Sequence, residues 1–168
     1  MWTDLRAEIE QTRHRLQLAE RDFAPLPFST NWDRLEERIY HTFCQLQHPT
    51  ARPRWLWEYF RPGAVGLLTD DEPLTQLTSL VDAEETVWLM LNETVNLGDK
   101  FWFYQGTPSA IQQVLAECSY LDEIYLLSKK YAWLLCLNHH DALYGVGSPM
   151  QEKLLAKGGQ FVTYLRSG

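Results

Sequence analysis

The N-terminal part of the chain has apolar residues at helical spacing. An amphipathic helix is predicted over residues 3–21, where one apolar stripe recurs with the 3.6-residue period. Pro25 and Pro27 then interrupt the helical pattern. Thr30 is predicted as the N-cap of a second helix, whose stripe continues to about residue 46. The first third of the chain therefore indicates two helices.

A short strand is predicted after Pro62 and Gly63, and from residue 85 the pattern changes from helical to extended, with apolar and aromatic runs separated by turn residues. The predicted strands are Ala64–Thr69, Thr86–Leu91, Lys100–Gln105, Asp122–Ser128, Tyr131–Asn138 and Phe161–Leu165. Three helices are predicted between them: a short one near Leu77, one after the N-cap Thr107, and one from Ser148 to about Ala156. The alternation of Trp55, Trp57 and Tyr59 fits either a strand or a short helical turn.

This order of elements predicts an α+β fold, with N-terminal helices followed by an antiparallel sheet of about four to six strands and helices packed on it. A chain of 168 residues is the size of one ordinary domain. We therefore expect a single domain over residues 1–168, with a helical subdomain over 1–60 as the alternative.

Composition narrows the class of protein. The chain is 45% hydrophobic, enough for a core, and it contains no apolar run of the ~20 residues that a membrane-spanning helix requires. Its first residues lack the basic and then apolar order of a signal peptide, which favours a cytoplasmic protein. Three widely spaced cysteines, Cys44, Cys118 and Cys136, fit reduced, buried thiols better than disulfides or a zinc site.

Charge is distributed unevenly along the chain. Residues 1–62 hold nine basic and nine acidic side chains, whereas residues 63–168 hold six basic and thirteen acidic ones and so carry the whole net charge of −7. Residues 70–99 contain no Lys or Arg and eight carboxylates: Asp70, Asp71, Glu72, Asp82, Glu84, Glu85, Glu93 and Asp99.

If these carboxylates gather on a single exposed face, that face repels nucleic acid and anionic membranes and attracts a basic protein. The alternative is that they serve solubility alone.

The polar cluster Asn138, His139, His140 and Asp141 directly follows an apolar strand, where binding and catalytic residues are often found. If this segment stays extended, the two histidines point to opposite faces and cannot share a metal. The other interpretation is a turn in which Asn138 and Asp141 bond backbone groups while the histidines cover part of the sheet edge. The chain has no zinc-binding motif of the HExxH or CxxC kind and no nucleophile elbow.

Two further segments have ordinary structural interpretations. Gly145–Pro149 resembles an anion-binding loop, but its spacing matches no phosphate fingerprint, and a flexible turn is the expectation. Phe101–Tyr104 is expected to be core on both faces, because a base-stacking platform needs basic surroundings that this segment lacks.

The runs Phe101–Gly106 and Tyr125–Asp141 resemble a small bacterial family of uncharacterised function. The strand–turn–strand with a Trp and a terminal His/Asp cluster is also similar to several immunity-protein families of bacterial toxin systems. The resemblance begins at about Glu85. It implies a cytoplasmic binder that acts by stoichiometric association, and it supplies no catalytic residues.

The leading hypothesis is a non-enzymatic, immunity-like or antitoxin-like module that occludes a basic protein partner, with no cofactor and no metal. The residues assigned to partner binding are Asp70, Asp71, Glu72, Asp82, Glu84, Glu85, Asn138, His139, His140 and Asp141. The alternative is a small metal-dependent or acid/base hydrolase centred on His139, His140 and Asp141.

Overall fold

The structure is a computed structural model that describes residues 4–93, 101–119 and 121–163; of Glu93 it describes the backbone only. Within these ranges the α-helices are α1 (Asp4–Arg15), α2 (Trp32–Phe43), α3 (Pro73–Ser79), α4 (Pro108–Leu115) and α5 (Ser148–Ala156). A 3₁₀ helix covers Leu56–Tyr59. The strands are β1 (Phe23–Pro25), β2 (Val65–Leu68), β3 (Val87–Glu93), β4 (Phe101–Gly106), β5 (Leu121–Leu127), β6 (Leu134–Leu137), β7 (Ala142–Val146) and β8 (Gln160–Phe161).

All eight strands form one antiparallel sheet in the order β1-β4-β3-β5-β6-β7-β2-β8. At one end of this sheet β3 finishes beside the start of β5, where Asn92 pairs with Glu123. We call this the Glu123 end. At the other end β3 starts, and Trp88 lies between Gln105 and Leu127. We call this the Trp88 end.

The sheet is covered on both faces, which explains the continuous apolar runs of its central strands. One core packs α1, α3, α4 and α5 against one face, and the second packs α2 and the 3₁₀ helix against the other. Leu5 and Ile9 of α1 are fully buried in the first core, while Ile39 and Phe43 of α2 belong to the second. No helix of the described ranges is long and apolar enough to span a bilayer.

The α+β prediction is confirmed, but the expectation of four to six strands is wrong, because the described chain contains eight. The edge strand β1 has only three residues, too few to show a period of two, and it was missed. The strand β7 contains Gly145, a residue that is depleted in strands, and it was therefore missed. The three helices predicted between the strands correspond to α3, α4 and α5, so the helices are not all N-terminal.

Several boundaries differ from the sequence prediction. The first helix ends at Arg15 rather than at residue 21, and Gln17 after it takes a left-handed φ of 54°. The second helix is capped by Asn31, whose side chain accepts a hydrogen bond from Arg34 N–H, rather than by Thr30. The aromatic segment of uncertain type forms the 3₁₀ helix.

The predicted starts at residue 3 and Lys100 and the predicted end at Leu165 lie outside the described residues.

Gly145 and Gly147 have defined structural roles. The expectation of a flexible turn over Gly145–Pro149 is therefore wrong. Gly145 lies in β7, where a Cβ would come within 2.6 Å of Leu154 Cδ1. Gly147 has a φ of 95°, and a Cβ there would come within 2.3 Å of the Ala132 carbonyl oxygen. Close packing and backbone conformation therefore both require glycine at position 147.

Candidate functional site

A β-bulge shapes the Glu123 end of the sheet. Asn92 pairs with Glu123 and the next residue of β3, Glu93, pairs with Leu121, so Asp122 is the additional residue on β5. In a regular strand neighbouring side chains point to opposite faces, whereas a bulge re-aims one of them. Here one carboxylate oxygen each of Asp122 and Glu123 and one ring nitrogen of His139 all lie within 4.8 Å of one another.

The segment after β6 forms a turn, as the second of the two sequence interpretations expects, and is not extended. Asn138 Oδ1 accepts hydrogen bonds from the backbone N–H groups of His140 and Ala142, both at 3.0 Å. Asp141 closes the turn with a left-handed φ of 54°. This turn brings the ring centroids of His139 and His140 to 4.0 Å. The two histidines therefore lie on the same side of the chain, as neighbours.

Glu123 is the central charged group of the site. Its side chain is fully buried, and its Oε1 accepts a hydrogen bond from His139 Nδ1 at 2.5 Å. The Cys136 thiol donates to its Oε2 at 3.6 Å. Burial raises the pKa of Glu123, and the His139 and Trp57 hydrogen bonds oppose this rise.

The hydrogen bond also orients His139. While Glu123 is ionised it accepts the Nδ1 proton, which leaves the second ring nitrogen, Nε2, free to act as a base or ligand. The His139 side chain is 29% exposed, so solvent reaches part of this ring.

Aromatic rings form the wall beside His139. The Trp55 ring centroid lies 5.0 Å from that of His139, and the Trp57 centroid lies 6.4 Å away. Trp57 stacks on Tyr144 with 5.1 Å between centroids. The preceding Arg54 holds this segment to the sheet through an ion pair with Asp122 at 2.9 Å. We call the group Asp122, Glu123, His139, Trp55 and Trp57 the His139 site.

The buried side-chain amide of Asn92 lies on the neighbouring strand β3, at the position paired with Glu123. Asn92 is fully buried, and neither its Oδ1 nor its Nδ2 has a hydrogen-bond partner within the described part of the chain. Leaving such a group unpaired costs about 1–3 kcal/mol. The interior behind the His139 site is therefore more polar than an ordinary core.

The predicted acidic residues divide between the two ends of the sheet. Asp70, Asp71 and Glu72 follow β2 at the Glu123 end, and all three are exposed. The other three, Asp82, Glu84 and Glu85, precede β3 at the Trp88 end. The expectation of a single face is therefore wrong for these six. Two further carboxylates of the predicted segment, the Glu93 side chain and Asp99, lie outside what the structure describes.

The first acidic group is continuous with the histidine turn. The main-chain oxygen of Asp141 accepts hydrogen bonds from Thr69, at 3.1 Å from its N–H and 2.6 Å from its hydroxyl. Asp70 follows Thr69 in the chain, so Asp70–Glu72 lies beside the turn of His139. The structure thus brings together seven of the ten predicted residues: Asp70, Asp71, Glu72, Asn138, His139, His140 and Asp141.

Most of these predicted carboxylates form no ion pair with another residue that the structure describes. Of the six predicted carboxylates and Asp141, only Asp82 forms an ion pair within residues 4–92, 101–119 and 121–163. Its partner is Lys153, at 3.3 Å. Arg13 and Arg15 of α1 pair instead with Glu10 and Glu117. The Glu123 end therefore keeps exposed negative charge.

Sequence reasoning missed the most buried member of the site. Asp122 and Glu123 lie at the start of a predicted strand, and two carboxylates directly before an apolar run are the signal that could have indicated them. The sequence places Trp55 and Trp57 in a strand or a short helical turn, without a link to His139. That link depends on the pairing of β5 with β6 and on the position of the 3₁₀ helix.

The site has two kinds of chemical capacity. Asp122, Glu123 and His139 offer the oxygen and nitrogen donors that divalent metals accept, although Asp122 is already paired with Arg54. His139 with its carboxylate partner has the arrangement of an oriented general base. The buried Cys136 is a poor nucleophile, because burial raises its pKa well above the ordinary value.

Comparison with known proteins places the chain in a family. The profile of DUF6756, a family of unknown function, matches residues 1–158, so the chain belongs to this family. The searches of curated proteins and of solved structures gave no significant match.

Proposed function

We propose that this member of DUF6756 is a non-enzymatic protein-binding module that receives a basic protein at the Glu123 end of its sheet. The observation that carries the proposal is the exposed and uncompensated charge of Asp70, Asp71, Glu72 and Asp141 beside the histidine turn. Such a concentration of one sign attracts a basic surface and steers its approach.

Aromatic side chains next to this charge supply the anchor. Trp55 and Trp57 are half-buried, so part of each ring remains available for contact. Large rigid aromatics near the centre of an interface contribute a large share of binding energy, and a tryptophan face also accepts a Lys or Arg side chain. His139 and its buried partner Glu123 add a polar contact point between the rings and the carboxylates.

The proposed mechanism is occlusion. A basic cleft of the partner, such as one that binds phosphate groups, would be filled by the carboxylates of Asp70–Glu72 and covered by the tryptophans. This corresponds to the immunity-like or antitoxin-like role that the sequence resemblance implies. Association would be fast at low salt and slower as salt screens the charges, because the steering is electrostatic. The same charge opposes binding of nucleic acid and anionic membranes.

The test compares two sets of charge variants that each remove three carboxylates. One carries Asp70→Asn, Asp71→Asn and Glu72→Gln, and the other carries Asp82→Asn, Glu84→Gln and Glu85→Gln. Tagged proteins are used to capture partners at low salt from cells that express the chain naturally, and the association rate with the purified partner is then measured. A fall of at least about tenfold is expected for the first set only.

Two results would contradict the proposal. One is equal association of both variant sets with the partner. The other is a captured partner without a basic surface. A Trp55→Ala variant adds an independent criterion, since its loss of binding should appear in the dissociation rate rather than in the salt dependence.

The second candidate is a small acid/base or metal-dependent hydrolase, and the Glu123–His139 hydrogen bond favours it. A buried carboxylate that orients a half-exposed imidazole is a common arrangement for a general base. Elemental analysis of protein purified without added metal tests the metal-dependent form. A hydrolase screen of His139→Ala and His140→Ala tests the other form, and activity that survives both substitutions would remove this candidate.

A further inference from the structure

We propose that the Trp88 end of the sheet carries a second binding site, which accepts a small organic phosphate. The site is a cavity of about 820 Å³ between α2 and the sheet, which we call the Arg38 groove. Its lining includes Arg34, Arg38, Gln105, Lys129, Trp88 and Tyr131. None of these residues belongs to the His139 site, so this inference does not depend on the function proposed there.

Three positive groups meet in the Arg38 groove. Arg34 and Arg38 are one helical turn apart on α2, a spacing at which like charges destabilise a helix by a few tenths of a kcal/mol. Neither forms an ion pair with any residue that the structure describes. Lys129 adds a third charge from the β5–β6 connection.

Acidic compensation within the groove is small. Glu37 is the carboxylate in its lining, and that carboxylate lies 3.8 Å from His41. Arg34, Arg38 and Lys129 against the one carboxylate of Glu37 give a net charge of about +2 from the Arg, Lys and Glu side chains of the groove. A groove of this charge in a protein whose net charge is −7 points to a bound anion.

Two of the three cations, Lys129 and Arg38, are held in place by contacts with β4 and with the β5–β6 connection. Lys129 Nζ donates a hydrogen bond to Gln105 Oε1 at 2.8 Å, which fixes the ammonium group above β4. The Arg38 guanidinium lies 4.0 Å from the centroid of the Tyr131 ring. The Tyr131 and Trp88 rings form a T-shaped contact with 5.4 Å between their centroids. Groups that are already ordered lose less entropy when a ligand binds.

The chemistry of these groups selects the ligand. The forked guanidinium of arginine matches the oxygens of a phosphate group, and lysine adds a point charge. Trp88 is half-buried and offers a flat apolar surface for a planar ring. A cavity of this volume lies within the range typical of small-molecule sites. The ligand class is therefore a phosphate group joined to a planar ring, of the size of a mononucleotide.

Isothermal titration calorimetry with three probes tests the inference at low ionic strength. AMP carries both the phosphate and the ring, inorganic phosphate carries the charge alone, and adenosine carries the ring alone. AMP is expected to bind with a Kd below about 1 mM, and at least about tenfold more tightly than either of the other probes. A variant with Arg34→Gln and Arg38→Gln should lose at least about tenfold in AMP affinity.

The control is Arg21→Gln, since Arg21 is 88% exposed and lies outside the groove. Circular dichroism of all variants establishes that they are folded, as expected for exposed positions. Absence of AMP binding, or equal binding by the double variant and the control, overturns the inference. Binding of inorganic phosphate as tight as that of AMP overturns the part assigned to Trp88.

Discussion

His139 Nδ1 lies 2.5 Å from Oε1 of Glu123, a carboxylate whose side chain is fully buried. Burial raises the pKa of Glu123 above its ordinary value of 4.5, so the unfolded chain loses this proton at a lower pH than the folded protein. Between the two pKa values the free energy of unfolding therefore falls as pH rises. Each unit of separation is worth about 1.4 kcal/mol.

The substitution Glu123→Gln should remove this dependence while keeping an oxygen that accepts the His139 hydrogen bond. Urea denaturation between about pH 4 and pH 8 should give the variant a flatter decline than the parent protein, and a relative gain in stability at the higher pH. Glu58→Gln, at an exposed position, is the control and should follow the parent. Parallel curves for Glu123→Gln and the parent would refute the assignment.

The ion pair of Arg54 with Asp122 should couple the Trp55 segment to β5. The Asp122 side chain is only 14% exposed, so its charge is less screened than that of a surface pair. A double-mutant cycle with Arg54→Gln and Asp122→Asn should give a coupling free energy of roughly 1 kcal/mol. The same cycle on Arg15 and Glu117, which are 62% and 47% exposed, should give less than half as much. Equal coupling in the two cycles would contradict this prediction.

Gly147→Ala and Gly158→Ala separate backbone strain from steric overlap. Both glycines have left-handed φ angles, 95° and 92°, but a Cβ at Gly147 meets the Ala132 carbonyl while a Cβ at Gly158 meets nothing within 4 Å. Gly158→Ala should cost about 1 kcal/mol, and Gly147→Ala at least about 2 kcal/mol more. Chemical denaturation measures both. An equal loss of unfolding free energy in the two variants would contradict this prediction, because it would mean that the structure removes the overlap at Gly147 without losing stability.

The cysteines should react slowly in the folded protein. Burial raises the pKa of both Cys44 and Cys118 to about 12 and places that of Cys136 well above its ordinary value. At pH 8 only about one thiol in ten thousand is then ionised at Cys44 or Cys118. Ellman's reagent should label the native chain far more slowly than the urea-unfolded chain, and Cys118→Ala should remove most of the remaining native reaction. A native thiol as fast as the unfolded ones would contradict this.

Local patterns were enough to predict much of the framework. The N-cap Thr107 with Pro108, and the helix that ends at Ala156, were predicted from local patterns and are confirmed. Phe101–Tyr104 is buried on both faces of its strand, as its continuous run of aromatic residues predicts. These signals are local, because a cap or a period depends on residues a few positions apart.

Predictions that required distant contacts were less successful. β1 is a strand because it pairs with β4, some eighty residues later, and β7 is a strand because it lies between β6 and β2. The six predicted carboxylates are close in sequence, yet β3 and α3 place them at opposite ends of the sheet. The periodic pattern of the sequence does not predict that these carboxylates lie at opposite ends of the sheet.

The sequence by itself determined the α+β class, the charge imbalance and the prominence of Asn138–Asp141. The tertiary structure alone decided that Glu123 lies beneath His139, because a bulge at Asp122 and the pairing of β5 with β6 bring residues sixteen positions apart into a hydrogen bond. It also decided where the negative charge lies. The physical reason is that local preferences act over a few residues, whereas burial and charge proximity depend on which strands become neighbours.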